Sequence, residues 1–574
     1  MSNLFKKLIS FTLLLAVAFS TVSCQSKKKK QEKEESAAVA GKAVLNIYSF
    51  SSGYGSEWLT EAIKEYEELN KDVVIGDKKG IVIKPTTDTN GVAGATMAGR
   101  NEVIYFLEQQ DYYELVANNY VADITPAITG SNKYDNNSKT LESKMYDDQI
   151  SYLKRTNSSG KVSYYAYPHY FTSFGIVYDV DLFDSKGYYF ADGYDANGAL
   201  ADMFLGSAGV SAGWAKTAGP DGTPETGDDG LPTTYEEFLL LCRFISEVGN
   251  DNPLIWSGQH RDAYLTHFIN ALATDYEGKD QMRLNFTFDG YATNLGTVQG
   301  GQFVEDANDT FIDGTNGQEL ARQAGKYYAM DFYSDLYNSP AVNNADTQRT
   351  LYSSTYSHTV AQEDFLIPTT RRNAMLLDGS WWETEATAAF DKVVKANGSQ
   401  YSKQNRRLGW MPLPKHSSKV GTKQTVYELM YPLCVVKNGL DVNGWEYKYA
   451  LDFIQFINSD EQIAKFNQRT GCTKSLKYDL TDAQYKSLTY FGKSYYDAYK
   501  ASDIVFPYDN NLLFANNQKV FQEIDYNGQG SPLYKSTDYP TCFVRGIENG
   551  KTASSYFSGM YTYFSALSIW RSSK

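Results

Sequence analysis

The chain has 574 residues, enough for more than one hydrophobic core, and its composition is that of a globular protein with 42% hydrophobic and 21% charged residues. Its formal net charge of -14 and the absence of a lysine/arginine patch interleaved with aromatics exclude nucleic acid as a natural partner. Tyrosine is over-used, with 46 copies among 15% aromatics, which supplies flat apolar faces carrying polar tips.

The first residues read as an export signal. Lys6 and Lys7 precede an apolar run from Leu8 to Phe19 that is too short to span a bilayer, and small residues lead to Thr21-Val22-Ser23-Cys24. This ending resembles the lipobox of bacterial lipoproteins, which implies removal of residues 1–23, lipidation of Cys24, and a mature chain anchored at the extracytoplasmic face of the cell membrane. Ordinary signal-peptidase cleavage at the same small residues is the alternative. Residues 24–41, charged and without large apolar side chains, are expected to form a disordered tether. Cys242, Cys434, Cys472 and Cys542 are widely spaced and read as buried structural thiols, with one disulfide left open.

Val44–Phe50 is a β-rich run, followed by the glycine turn SSGYGS and by Leu59, Ala62, Ile63, Tyr66 and Leu69 at helical spacing. Ile81–Lys84 and Glu102–Leu107 are the next strands, and a helix is expected from Asp111 onward. Strands alternating with helices predict an α/β architecture with a largely parallel sheet. The stretches 185–232 and 275–315 show no periodicity and read as surface insertions. Thr234 with Glu237 forms a capping box for the next helix. Ala374–Leu377 reads as a strand, and Ser380 with Glu383 as a capping box that makes Trp381 and Trp382 the first two residues of a helix. Residues 443–458 carry Tyr447, Ala450, Phe453, Ile454 and Ile457 on one helical face. Ser459 with Gln462 caps a further helix that stops at Gly471.

Several of these stretches together resemble the extracellular solute-binding proteins of ABC importers, in the branch that includes maltodextrin-binding proteins. They are EVIYFL, NNYVADITP, GKVSYYAYPHYFTSFGIVYDVDLF, AMLLDGSWW, MPLPKHSSK and YALDFIQFINSDEQIAKFNQRTG, in the family's order. The resemblance implies a type II periplasmic-binding-protein-like fold of two α/β lobes joined by crossing strands. Lobe one would hold 42–166 with 430–474, and lobe two 173–425 with 475–574. It further implies a monomer without enzymatic activity that captures a small molecule, an oligosaccharide above all, in the interlobe cleft and delivers it to the permease subunits of an importer. Another polar solute such as a peptide, or a role as a surface glycan-adhesion module or glycosidase, is the alternative.

Ligands of open α/β sheets sit beyond the carboxyl ends of strands. That rule selects Tyr54, Asp88, Asn90, Gln110 and Asp111. Tyr167 and Tyr170 fall where the family's chain first crosses between lobes, and Glu428 and Tyr431 near the second crossing. Trp256, His260 and Arg261 form a second polar-aromatic cluster, and Asp378, Trp381 and Trp382 complete the ligand-binding candidates. By the family's pattern Trp381 is the stacking residue of the pair. No cofactor is required, although Asp221, Asp228 and Asp229 in an acidic, glycine-rich stretch could form a structural calcium loop; an acidic turn-rich insertion is the other reading.

Overall fold

The computed structural model describes residues 39–571 apart from 90, 109–111, 136–138, 157–159, 208–212, 345–346, 348–349, 430–431 and 518–542. Cys24, the signal segment, most of the tether, Asn90, Gln110, Asp111, Tyr431 and Cys542 lie outside the described residues.

The elements that place the site are, in chain order, β1 (Ala43–Phe50), α1 (Glu57–Leu69), β2 (Ile81–Asp88), β3 (Ile104–Leu107), α2 (Tyr112–Ala117), β4 (Ala166–Pro168), β5 (Phe174–Asp179), α3 (Tyr235–Glu247), β6 (Asn252–Ile255) and α4 (Arg261–Thr287). They continue with α5 (His358–Leu366), β7 (Asn373–Gly379), α6 (Trp382–Glu385), β8 (Leu408–Met411), β9 (Thr425–Tyr427), β10 (Leu433–Val436), α7 (Trp445–Ile457), α8 (Asp460–Thr470), α9 (Tyr490–Ala501) and β11 (Asp503–Val505).

Two sheets form two cores. The first has the order β2-β1-β3-β10-β4 and the second β6-β7-β5-β8. Both are mixed rather than largely parallel. The pairs β1/β2, β1/β3 and β6/β7 are parallel. The strands next to the interlobe crossings, β4, β5 and β10, pair antiparallel with their neighbours. The reason is connectivity: a chain that crosses from the other lobe enters the sheet from the opposite end.

The local signals behave as expected. Ala43, Leu45 and Ile47 alternate into the core of lobe one, and α1 lays Trp58, Leu59, Ala62, Ile63 and Tyr66 against it. Each fully buried leucine or isoleucine there contributes about 2 kcal/mol. The Thr234/Glu237 capping box forms, and Ser459 accepts from the Gln462 N–H. Gly471 ends α8 in the left-handed region at φ 68°, where a β-carbon would be strained. Cys242, Cys434 and Cys472 are buried free thiols.

Two further expectations are corrected. The helix α4 runs through 275–287 with a break at Gly278 (φ 74°, ψ 172°); only the part beyond it forms short two-stranded ribbons. The capping box at Ser380 does not form, because Trp381 occupies the cap position and Ser380 is committed elsewhere. Its N–H donates to the Ser173 carbonyl at 2.9 Å, and its hydroxyl accepts from the Ser173 N–H at 3.2 Å.

The crossing segments lie side by side. His169 N–H donates to the Pro432 carbonyl, Phe171 N–H to the Thr473 carbonyl and Leu429 N–H to the Thr172 carbonyl, each at 2.9 Å. Among the described residues no helix is long and apolar enough to cross a membrane.

Candidate functional site

The site is built where the carboxyl ends of β1, β3 and β7 face one another across the junction of the lobes. From lobe one comes the turn after β1. There the Tyr54 ring packs on Tyr170 at 4.0 Å between centroids, and its hydroxyl donates to the Phe50 carbonyl at 3.0 Å. Glu108, one residue past β3, accepts from the Tyr170 hydroxyl.

From lobe two, β7 ends in Asp378 and Gly379, and the chain turns into Trp381 and α6. Gln362 on α5 holds two carboxylates together, donating to Asp378 Oδ2 at 3.0 Å and to Glu385 Oε2 at 2.7 Å. His358 at the start of α5 brings Nε2 to 3.6 Å from Glu385 Oε1, and its ring lies 5.6 Å from that of His260. Tyr264, in the first turns of α4, packs edge-on against Phe174 at 5.1 Å.

The lobes touch through Trp381. A β-carbon placed on Gly53 would come 2.9 Å from Trp381 Cγ, and one on Gly379 would come 2.3 Å from its Cη2. The indole therefore lies between a glycine of lobe one and a glycine of its own lobe. Beside it, Thr384 Oγ1 donates to the Thr470 carbonyl at the end of α8 at 2.6 Å. Glu383, buried beneath, accepts from Thr489 Oγ1 at 2.9 Å.

Burial dominates the electrostatics. It drives the Asp378 carboxyl well above the usual carboxylate range, with the Glu385 charge adding to the effect, and raises Glu385 as well. Glu108 is driven up by burial and then by the Glu385 charge. Glu383 is pushed up to about 7 by burial. His260 is lowered by burial and then by His358. A junction rich in reluctant carboxylates has acceptors to offer to hydroxyl or amine donors, since each donor supplied there offsets lost hydration.

Of the residues expected from sequence, the structure brings together Tyr54, Tyr170, Asp378 and Trp381. Asp88 ends β2 half-buried, its carbonyl accepting from the Ser51 N–H at 3.0 Å. Glu428 is buried at the second crossing, accepts from Ser475 Oγ at 2.9 Å and is pushed up to about 8 by burial.

Four other candidates are committed to structural contacts. Tyr167 is wholly buried in the first sheet, in register with Cys434. Trp256 donates through Nε1 to the Leu351 carbonyl at 3.1 Å, and Arg261 forms a two-pronged pair with Glu548 at 2.9 and 3.1 Å. Trp382 is a core residue, ringed by Phe365, Phe390 and Phe491 at 5.5 to 5.9 Å.

The acidic loop also reads differently. Asp228 accepts from the Asp221 N–H at 2.9 Å and from Thr226 Oγ1 at 2.7 Å, and Asp229 accepts from the Glu225 N–H at 2.8 Å. Asp221 accepts from the Thr223 N–H at 2.6 Å. These oxygens close turns, and among the described residues no group of three or more His, Cys, Asp or Glu is placed to hold a metal ion.

Sequence reasoning missed Glu108, Gln362, Glu385, His358 and Tyr264. Glu108 precedes the expected Gln110 by two positions, so the strand-end rule came close. His358 and Gln362 are four apart behind the Ser357 cap, which accepts from the Val360 N–H at 3.2 Å. That pattern marks a helix face but not what the face meets.

Solved structures share the overall fold. The maltose-bound MalE3 of T. maritima aligns with a TM-score of 0.52 at 12% identity, over 91% of this chain and 99% of that one. A chitin oligosaccharide binding protein aligns at 0.52 and 12%, over 93% and 100%. The fold is that of the two-lobe solute-binding proteins. A probable secreted solute-binding lipoprotein from Streptomyces coelicolor aligns at 0.50 and 13%, over 91% and 99%. No protein-family model matches the sequence, and no curated protein does.

Proposed function

We propose that the chain is the solute-binding component of an ABC importer, capturing an oligosaccharide between its lobes. The lobes would be 42–166 with 430–474 and 173–425 with 475–574. The observation that carries the reading is the indole of Trp381 lodged between the lobes beside the carboxylates of Asp378, Glu385 and Glu108. Separating the lobes frees one indole face next to a row of acceptors, which suits a pyranose: its C–H face stacks on the ring and its hydroxyls donate to the acids. The solutes in the names of two solved structures with this fold, maltose and chitin oligosaccharide, support a carbohydrate.

Closure is favoured because only the closed form lets both lobes contact the ligand, a population shift by differential affinity. The role is capture rather than turnover, with delivery to membrane permease subunits. The lipobox-like ending supports anchoring through Cys24, and palmitate labelling of expressing cells should disappear in Cys24→Ala.

The test of the binding role is a thermal-shift screen against malto-, cello-, xylo- and chito-oligosaccharides, followed by solution scattering. Stabilisation grows with ligand concentration over Kd. A saccharide that raises Tm and shrinks the radius of gyration supports the reading. Stabilisation by peptides alone, or release of shorter sugars during incubation, overturns it.

A further inference from the structure

Lobe two contains a cavity of about 850 Å³ that shares no residue with the interlobe cleft apart from the Phe174 side chain bordering both. It opens along the outer edge of β8, between α4 on one side and α9 on the other, with the 220–231 loop and the 412–427 segment as its remaining walls. Its size lies within the range of small-molecule sites, roughly 300–1,000 Å³.

The walls combine aromatic surface with hydrogen-bonding groups. Tyr178, Trp410, Tyr427, Tyr485 and Tyr490 line it. The Trp410 indole lies flat on Gly175, where a β-carbon would come 2.6 Å from Cζ2, and its edges meet Phe491 and Tyr495. The ring is thus held in place by its own lobe while remaining half-exposed.

The charges of the lining are distributed in a telling way. Lys415 is paired with Asp275 at 2.6 Å, and Lys423 with Asp503 at 2.6 Å, so both cations are neutralised from behind. Among the described residues Asp228 and Asp497 face no ion-pair partner, taking hydroxyl donors instead: Thr226 at 2.7 Å and Tyr485 at 2.5 Å. Lys493 completes the lining as a cationic donor. An anionic ligand would meet these carboxylates, whereas a neutral polyol finds acceptors, a donor and aromatic faces together.

We propose that this cavity is a second binding site, for a neutral saccharide of about two to four units. It stands apart from the cleft reading, because apart from Val426 and Tyr427, which lead into the second crossing, its walls come from 173–425 and 475–574. The experiment is calorimetric titration of the full mature chain with maltotriose, cellotriose, xylotriose and chitotriose. It compares wild type, Ala498→Phe, which fills the cavity from α9, Lys493→Ala, which removes its donor, and Trp381→Ala in the cleft.

The expected result is that at least one trisaccharide loses a binding event in Ala498→Phe and binds that site three-fold or more weakly in Lys493→Ala. Trp381→Ala should leave this event unchanged. If Ala498→Phe lowers Tm by more than a few degrees, Lys493→Ala decides. The proposal is overturned if no trisaccharide binding is altered by either cavity variant. A Trp381→Ala variant that alters no binding would instead count against the cleft.

Discussion

Trp381 of lobe two covers Gly53 of lobe one so closely that a β-carbon on the glycine would come 2.9 Å from the indole Cγ. Gly53 also sits at φ 68°, a conformation that side chains rarely adopt. The two facts act on different equilibria. The backbone strain of Gly53→Ala, about 1–2 kcal/mol, is present whether the lobes are open or closed. The collision exists only when they are closed. Gly53→Ala should therefore weaken ligand binding roughly ten-fold, about 1.4 kcal/mol, and reduce ligand-dependent compaction in solution scattering. A variant that closes and binds like wild type would show that the contact is not part of closure.

The adjacent tryptophans should separate cleanly. Trp382→Ala removes a fully buried ring from among Phe365, Phe390 and Phe491 and should cost about 3–5 kcal/mol in urea unfolding. Trp381→Ala should cost less stability and more affinity, with Kd rising roughly ten-fold or more. Equal stability losses with no change in Kd would place both rings in the core.

Glu428 sets a pH dependence. Its carboxyl is pushed up to about 8 by burial. With the folded value above the unfolded one, about 4.3, its contribution is fully present below the unfolded value. It is lost as pH rises through the folded value, because ionisation then occurs in a buried site. Glu428→Gln keeps the shape and removes the titration. The difference in stability between variant and wild type should shift in the variant's favour from pH 5 to pH 8, by up to about 1.4 kcal/mol per pH unit. A constant difference over that range would contradict the burial.

The buried pair Lys415–Asp275, with side chains 5% and 2% exposed, should behave as a unit. Lys415→Met leaves Asp275 buried without its cation and should cost about 3–5 kcal/mol. Restoring neutrality with Asp275→Asn in the same chain should recover part of that loss. No recovery would mean that the lysine stem, not its charge, supports the site.

The acidic loop makes a simpler forecast. Because Asp228 and Asp229 are occupied in closing turns, EGTA and added calcium should leave Tm unchanged, while Asp228→Ala should cost about 1 kcal/mol through its lost hydrogen bonds. A calcium-dependent rise in Tm would restore the metal reading.

The sequence was most legible where the physics is local. The alternation of β1, the apolar faces of α1 and α7, and the caps at Thr234, Ser459 and Gly471 are decided within a few residues. The Ser380 cap failed because Ser173, 207 residues earlier, claims that serine at a lobe crossing, and no local rule sees it. Asp378 and Trp381 were singled out because strand-end position and family pattern agree, and both lie beside the junction. Glu385, Gln362 and His358 were not, because their partnership exists only once α5 packs beside the end of β7. Tyr167 was misplaced for a related reason: in a segment dense with tyrosines, alternation identifies two faces but not which one meets the other lobe.

The tryptophan pair also gives the molecule an optical property. Parting the lobes would take Gly53 away from the Trp381 indole and admit water to it, while Trp382 keeps its phenylalanine surroundings in either state. One emitter changes its polarity with lobe angle and its chain neighbour does not. A red shift carried by Trp381 and absent from Trp381→Phe would follow opening in real time, without an attached dye.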